Sequence, residues 1–236
     1  LAVSASTVRA ADRHLRRLWF GLTTEAGPPL LAVSLAGLVL VLWTGGGNSV
    51  PHRHAAQRVL DVPAAGAWLL MLVAMMPPLL TDAVSHVWTR SLKRRRRRQV
   101  LLFTAGYGFV WMTAGWLLVS GVARLVITFL PGLLAAPAAV AVAALWQATP
   151  AKQACLNRCH ALPPLSAFGL AADRDVVRFG MATGGSCVGS CWALMLVPSV
   201  INSAHAVVML AAMAFMLAER QARCRPAAWR IPFRRR

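Results

Sequence analysis

Long uncharged runs dominate this chain, and their length is the strongest constraint on how it folds. Near residues 28–44, 64–80, 100–120, 123–146, 180–200 and 203–219 the sequence carries apolar stretches of 17 to 24 residues. A hydrocarbon core about 30 Å thick needs roughly 20 such residues in a helix, with 17 near the lower limit. The expected fold is therefore all-α: a polytopic transmembrane helical bundle of about six spans. Composition agrees, because with 58% hydrophobic and only 14% charged residues the chain lacks the charge to cover a soluble domain of this size.

Prolines set breaks in these runs. Pro77-Pro78 ends the second, since proline lacks an amide proton and clashes with the preceding turn, and Pro131 and Pro137 kink the fourth. Little more than Ser120 to Arg124 separates the third from the fourth, which predicts a tight helical hairpin. Ahead of the first run, Arg9, Arg13, Arg16 and Arg17 accompany Leu15, Leu18, Trp19 and Leu22, which fall roughly on one side of a helix. That segment reads as an amphipathic helix on the membrane face rather than a cleaved secretory signal.

Orientation follows from lysine and arginine. With six spans, the N-terminal segment, the 81–99 loop, the 147–179 loop and the tail share one side and hold 22 of the 25 basic residues, leaving Arg53, Arg58 and Arg124 on the other. This bias predicts that both termini are cytoplasmic and that the chain resides in the cytoplasmic (inner) membrane. A formal charge of +18 would point to nucleic acid in a soluble protein. Here no basic segment interleaves with aromatics for base stacking, and anionic lipids are the expected partners, above all for Lys93–Arg98. An acidic protein is the alternative partner for that run. The organisation predicted is a basic segment over 1–27, a six-span domain over 28–219 with a cysteine-bearing loop and helix over 147–191, and a basic tail over 220–236.

Four of the five cysteines form two pairs of equal spacing, Cys155-x-x-x-Cys159 and Cys187-x-x-x-Cys191. Residues four apart share a helix face, so each pair can present two sulfurs to one point, and two facing helices can supply four thiolates. That ligand set suits Cu(I) or, as the alternative, tetrahedral zinc. Thr149-Pro150 reads as an N-cap with proline at the first helical position, starting a short helix from Ala151 to His160 that ends near Pro163-Pro164. The second pair opens the fifth span, where Gly185 and Gly189 would let another backbone approach closely. Met195, one turn beyond Cys191, extends the sulfur stripe, and His160 is a further candidate ligand. Met71, Met75, Met76, Met209, Met213 and Met216 could continue it. A disulfide is disfavoured in a reducing cytoplasm; packing of small apolar thiols between helices is the plain alternative. Cys224 stands alone in the tail.

The stretch from Trp146 through Cys155 and Cys159, followed by Gly180 and Cys187-Val-Gly-Ser-Cys191-Trp-Ala-Leu-Met195, resembles the metal-binding integral membrane proteins grouped as the domain of unknown function 2182. Ala74-Met75-Met76-Pro77 and the sixth run ending in Glu219-Arg220 are similar to further signatures of that group. The resemblance covers roughly residues 60–220 and implies a multi-span protein with a metal site at Cys155, Cys159, Cys187 and Cys191. The sequence departs from the pattern at Ile201-Asn202-Ser203, where Met-Asn-Leu is expected, and at His160, where a basic residue is expected.

Carboxylates are few and scattered, and no nucleophile–base set is evident, so catalysis is not expected. The function expected is Cu(I) handling or delivery, in company with other membrane subunits or a metalloenzyme client. The alternative is an accessory subunit whose cysteines hold structural zinc or only pack.

Overall fold

A computed structural model of the protein describes residues 27–47, 62–118, 121, 134–200, 205–222 and 224–229. The amphipathic segment predicted before residue 27, Arg53, Arg58, Arg124, Pro131, Ile201-Asn202-Ser203 and the terminal Arg230 and Arg234–Arg236 lie outside the described residues. Among those described there is no strand. The helices are α1 Gly27–Gly47, α2 Val62–Met75, α3 Thr81–Arg90, α4 Arg96–Leu117, α5 Ala135–Ala148, α6 Pro150–Arg158, α7 Gly169–Val200 and α8 His205–Gln221.

Two helices, Arg96–Leu117 and Gly169–Pro198, are long and apolar enough to cross a membrane. A third candidate is the bent pair Trp68–Met75 and Pro77–Arg90, which turns by 53° at its break. Pro28–Val41 and Ala135–Ala148 are shorter apolar helices. The bend sits where the proline pair predicted a stop: α2 ends at Met75 and a 3-10 turn runs over Pro77–Leu80. The chain does not leave the fold there. It continues as α3, so most of the predicted 81–99 loop is helical and buries Ala83, Val84 and Val87.

The central contact is α4 along α7. It is close because glycines face backbone: a methyl on Gly180 would stand 2.3 Å from the Phe103 carbonyl oxygen, and one on Gly106 would stand 2.7 Å from that of Val177. Small residues in this role bring helices together where lipid removes the usual hydrophobic drive. The outer face of α4 exposes Leu101, Phe109, Trp116 and Leu117, a surface suited to lipid.

α7 begins at Gly169, well ahead of the run predicted from residue 180. Its polar first turns are accommodated because the Asp173 carboxylate accepts from Arg95 Nη2 at 2.8 Å, Arg98 Nη2 at 2.7 Å and Gln99 Nε2 at 2.6 Å. Part of the basic run thus clamps α4 to α7, and an anion held by several charge-assisted donors is worth more than a lone surface pair.

α1 crosses α2 where Ser34 Oγ donates to the Ala74 carbonyl and where a methyl on Gly37 would come within 3.0 Å of the Ala74 nitrogen. The larger of two cores among the described residues runs through the bundle. It joins Trp68, Met71, Met75 and Met76 to Phe103, Tyr107 and Trp111, and on to Cys159, Cys187, Cys191, Met195, Met209 and Met216.

Candidate metal centre

The first cysteine pair is built on a short helix whose start is local chemistry. Thr149 is its N-cap, its hydroxyl accepting from the Lys152 amide at 3.3 Å, and Pro150 follows at the first position. The predicted helix is found over Pro150–Arg158. Cys155 lies near its end and Cys159 at its C-cap.

Tertiary contacts seat this helix. Lys152 is buried, and its ammonium donates to Gln147 Oε1 and Glu219 Oε1 while lying 5.7 Å above the Phe215 ring. A buried ammonium requires such partners, so the pair ties α6 to the end of α8. At the other end, Arg220 Nη2 donates to the Cys159 carbonyl at 3.4 Å, and Asn157 Nδ2 donates to the Arg225 carbonyl at 2.7 Å.

The second pair sits on α7, with Cys187 and Cys191 both buried. Their thiols are within hydrogen-bonding reach of each other. Ser190 Oγ donates to the Cys187 carbonyl at 2.9 Å and lies 3.3 Å from Cys191 Sγ. Tyr107 Oη donates to Cys187 Sγ at 3.4 Å.

Two residues from each, Gly189 lies on the opposite side of the α7 axis from Cys187 and Cys191. A methyl there would stand 2.6 Å from Cys155 Sγ, so the sulfur occupies the space a side chain would take, midway between Cys187 and Cys191 in sequence. Trp146 Nε1 donates to the Gly189 carbonyl at 2.9 Å and its ring meets Trp192 edge-on at 5.1 Å, holding α5 to the same turn of α7. Cys159 comes within hydrogen-bonding reach of Ser190 and within electrostatic reach of Cys187 and Cys155. Burial pushes its thiol up to about 11. The guanidinium of Arg220 adds a positive charge within electrostatic reach of Cys159, Cys187 and Cys191.

All four thiols are free. The structure seats both pairs at α7 without closing them round one point: among the described residues no three or more His, Cys, Asp or Glu side chains are grouped to hold a metal ion. Two thiols from one helix turn nonetheless fit Cu(I), a soft ion that thiolates select.

The other candidates separate. Met195 is fully buried in the same core. His160 places Nδ1 3.0 Å from the Leu156 carbonyl and Nε2 2.7 Å from the Arg220 carbonyl, and the N–H of whichever tautomer is present donates to one of them. Gly185 is expected to admit a neighbouring backbone, but a methyl added there would meet nothing within 4 Å among the described residues, whereas Gly180 and Gly189 both sit against close neighbours. Cys224 is exposed in the tail segment. Spacing along the chain did not reveal Tyr107 as a neighbour of Cys187. The available signal was the i, i+4 series Phe103, Tyr107, Trp111, which contains the only tyrosine of the chain.

A family model described as PpoB2, copper chaperone, matches residues 65–232, and this span contains both cysteine pairs. Comparison with curated proteins and with solved structures gave no match.

Proposed function

The chain belongs to the PpoB2 copper chaperone family, and from that premise we propose that it binds Cu(I) through Cys155, Cys159, Cys187 and Cys191 and passes it to a copper-dependent client. The observation that carries this is Cys159, at the C-cap of α6, buried in one cluster with Cys187 and Cys191 of α7, while Cys155 Sγ sits against α7 at Gly189. That cluster also contains Met195.

Charge favours this cargo. Cu(I) held by two or more thiolates forms an anionic complex, and Arg220 supplies a positive charge close to three of the sulfurs. Loading removes a thiol proton for each ligand used. Release follows by exchange: a client's donors replace the chaperone's one at a time, so the protein needs no catalytic group of its own. Thiols arranged as two pairs, rather than as a closed cage, leave room for such exchange.

The same proposal places the chain in the cytoplasmic membrane with about six spans and both termini in the cytoplasm. It is supported by the apolar helices and by the basic residues concentrated between the runs. Anionic lipids then contact the Lys93–Arg98 run.

Metal analysis of the purified chain tests the proposal. Copper should accompany the native protein stoichiometrically and be lost on chelation and in a variant with all four cysteines changed to serine. Native protein that takes up no Cu(I) under reducing conditions refutes it, and zinc alone in that position moves the reading to a structural site.

A further inference from the structure

We propose that Tyr107 and Trp111, one turn apart on α4, are sulfur-directed hydrogen-bond donors that stabilise Cys187 in its copper-bound form. The inference rests on the proposed copper site and assigns it two positioning residues that are not themselves ligands.

Three observations carry it. The Tyr107 hydroxyl already donates to Cys187 Sγ at 3.4 Å. The indole of Trp111 is fully buried and faces the same sulfur, yet its Nε1–H closes no hydrogen bond among the described residues. Two other indoles behave differently: the buried Trp68 Nε1 donates to the Trp111 carbonyl at 3.2 Å, and the half-buried Trp146 Nε1 donates to the Gly189 carbonyl at 2.9 Å. Among these three indoles the unpaired N–H is the one beside Cys187. Leaving such a group buried and unpaired costs free energy.

Metal loading supplies the missing acceptor. When Cu(I) binds, the Cys187 S–H bond is given up, the proton passes to solvent, an S–Cu bond forms, and no electron changes hands. The sulfur keeps further lone pairs and gains negative charge. A charged acceptor makes stronger hydrogen bonds than a neutral thiol, so both donors favour the loaded state over the free one. Partners of this kind, touching the ligand rather than the metal, typically tune affinity by 10–100-fold. Nearby Phe103 belongs to the same aromatic series, with its ring 6.4 Å from that of Tyr107, but has no donor. It separates hydrogen bonding from packing.

The test uses the full chain in detergent, with Cu(I) affinity measured by competition against a chromophoric Cu(I) chelator under anaerobic reducing conditions. Thermal unfolding is followed with and without Cu(I). Tyr107→Phe should weaken binding about tenfold and shrink the copper-induced rise in Tm, leaving the metal-free Tm unchanged. Trp111→Phe should act in the same direction, and Phe103→Leu should leave affinity unchanged whatever it does to Tm. Wild-type affinity in Tyr107→Phe overturns the proposal, as does an equal loss in Phe103→Leu; should Trp111→Phe fail to fold, Tyr107→Phe decides. Wild-type protein that binds no Cu(I) at all overturns the site itself, an outcome distinct from unchanged affinity in the variants.

Discussion

Replacing Gly189 with alanine gives the sharpest test of whether Cys155 is a ligand. The new methyl would stand 2.6 Å from Cys155 Sγ and 3.4 Å from its Cβ. Non-bonded heavy atoms settle at about 3.5–4.0 Å, so the sulfur must retreat by about 1 Å. Cysteine has a single side-chain torsion, and a rotamer change lets the sulfur leave without moving either helix. The fold then loses little: alanine is the better helix former by up to about 1 kcal/mol, and the net change in stability should lie within about 1 kcal/mol of zero. Metal binding has no such tolerance. Ligand distances must hold to about 0.2 Å, so a sulfur displaced by about five times that is lost, and Cu(I) affinity should fall by at least about tenfold. Gly185→Ala is the matched control, since among the described residues nothing lies within 4 Å of the methyl it adds one turn earlier on the same helix; it should load copper normally. Chelator competition measures affinity and denaturant or thermal unfolding measures stability on the same samples. A Gly189→Ala protein that loads Cu(I) as tightly as wild type refutes the role of Cys155.

Three further outcomes follow from the packing. Gly180→Ala drives a methyl to 2.3 Å from the Phe103 carbonyl; backbone cannot swing aside as a thiol can, so the loss should be about 1–3 kcal/mol, read from unfolding midpoints. Glu219→Ala strands the Lys152 ammonium, whose side chain is 4% exposed, and should cost about 3 kcal/mol. Combining Glu219→Leu with Lys152→Met should recover most of that, and failure to recover would show the pair is not the seat of α6. The Cys159 thiol, held up to about 11 by burial, makes metal-free stability fall with alkali. The unfolded thiol ionises first, so its contribution is complete below about pH 8.5 and is lost as pH rises through the folded value, about 3 kcal/mol in all. Cys159→Ser should flatten that slope, measured as denaturation midpoint from pH 8 to 11.

What could be read from the sequence was whatever depends on neighbours along the chain. The all-helical class follows from runs too long and too apolar for anything else, and the helix at Pro150–Arg158 follows from Thr149-Pro150, because a cap and a fixed proline torsion act within one turn. The i, i+4 cysteine spacing likewise guaranteed two sulfurs on a face. Tertiary structure decided which face meets which. The helical Thr81–Arg90 segment looked like loop because its polar residues are legible and the α4 wall that buries Val84 and Val87 is not. The early start of α7 depended on Arg95, Arg98 and Gln99, over 70 residues away, converging on Asp173. That His160 sits between the Leu156 and Arg220 carbonyls depends on residue 220, 60 positions away. Gly185 and Gly189 are equivalent by spacing, and only the latter faces a sulfur. Periodicity specifies an angle around one helix axis; the partner at that angle is set by how two axes cross, which depends on contacts summed over the whole bundle.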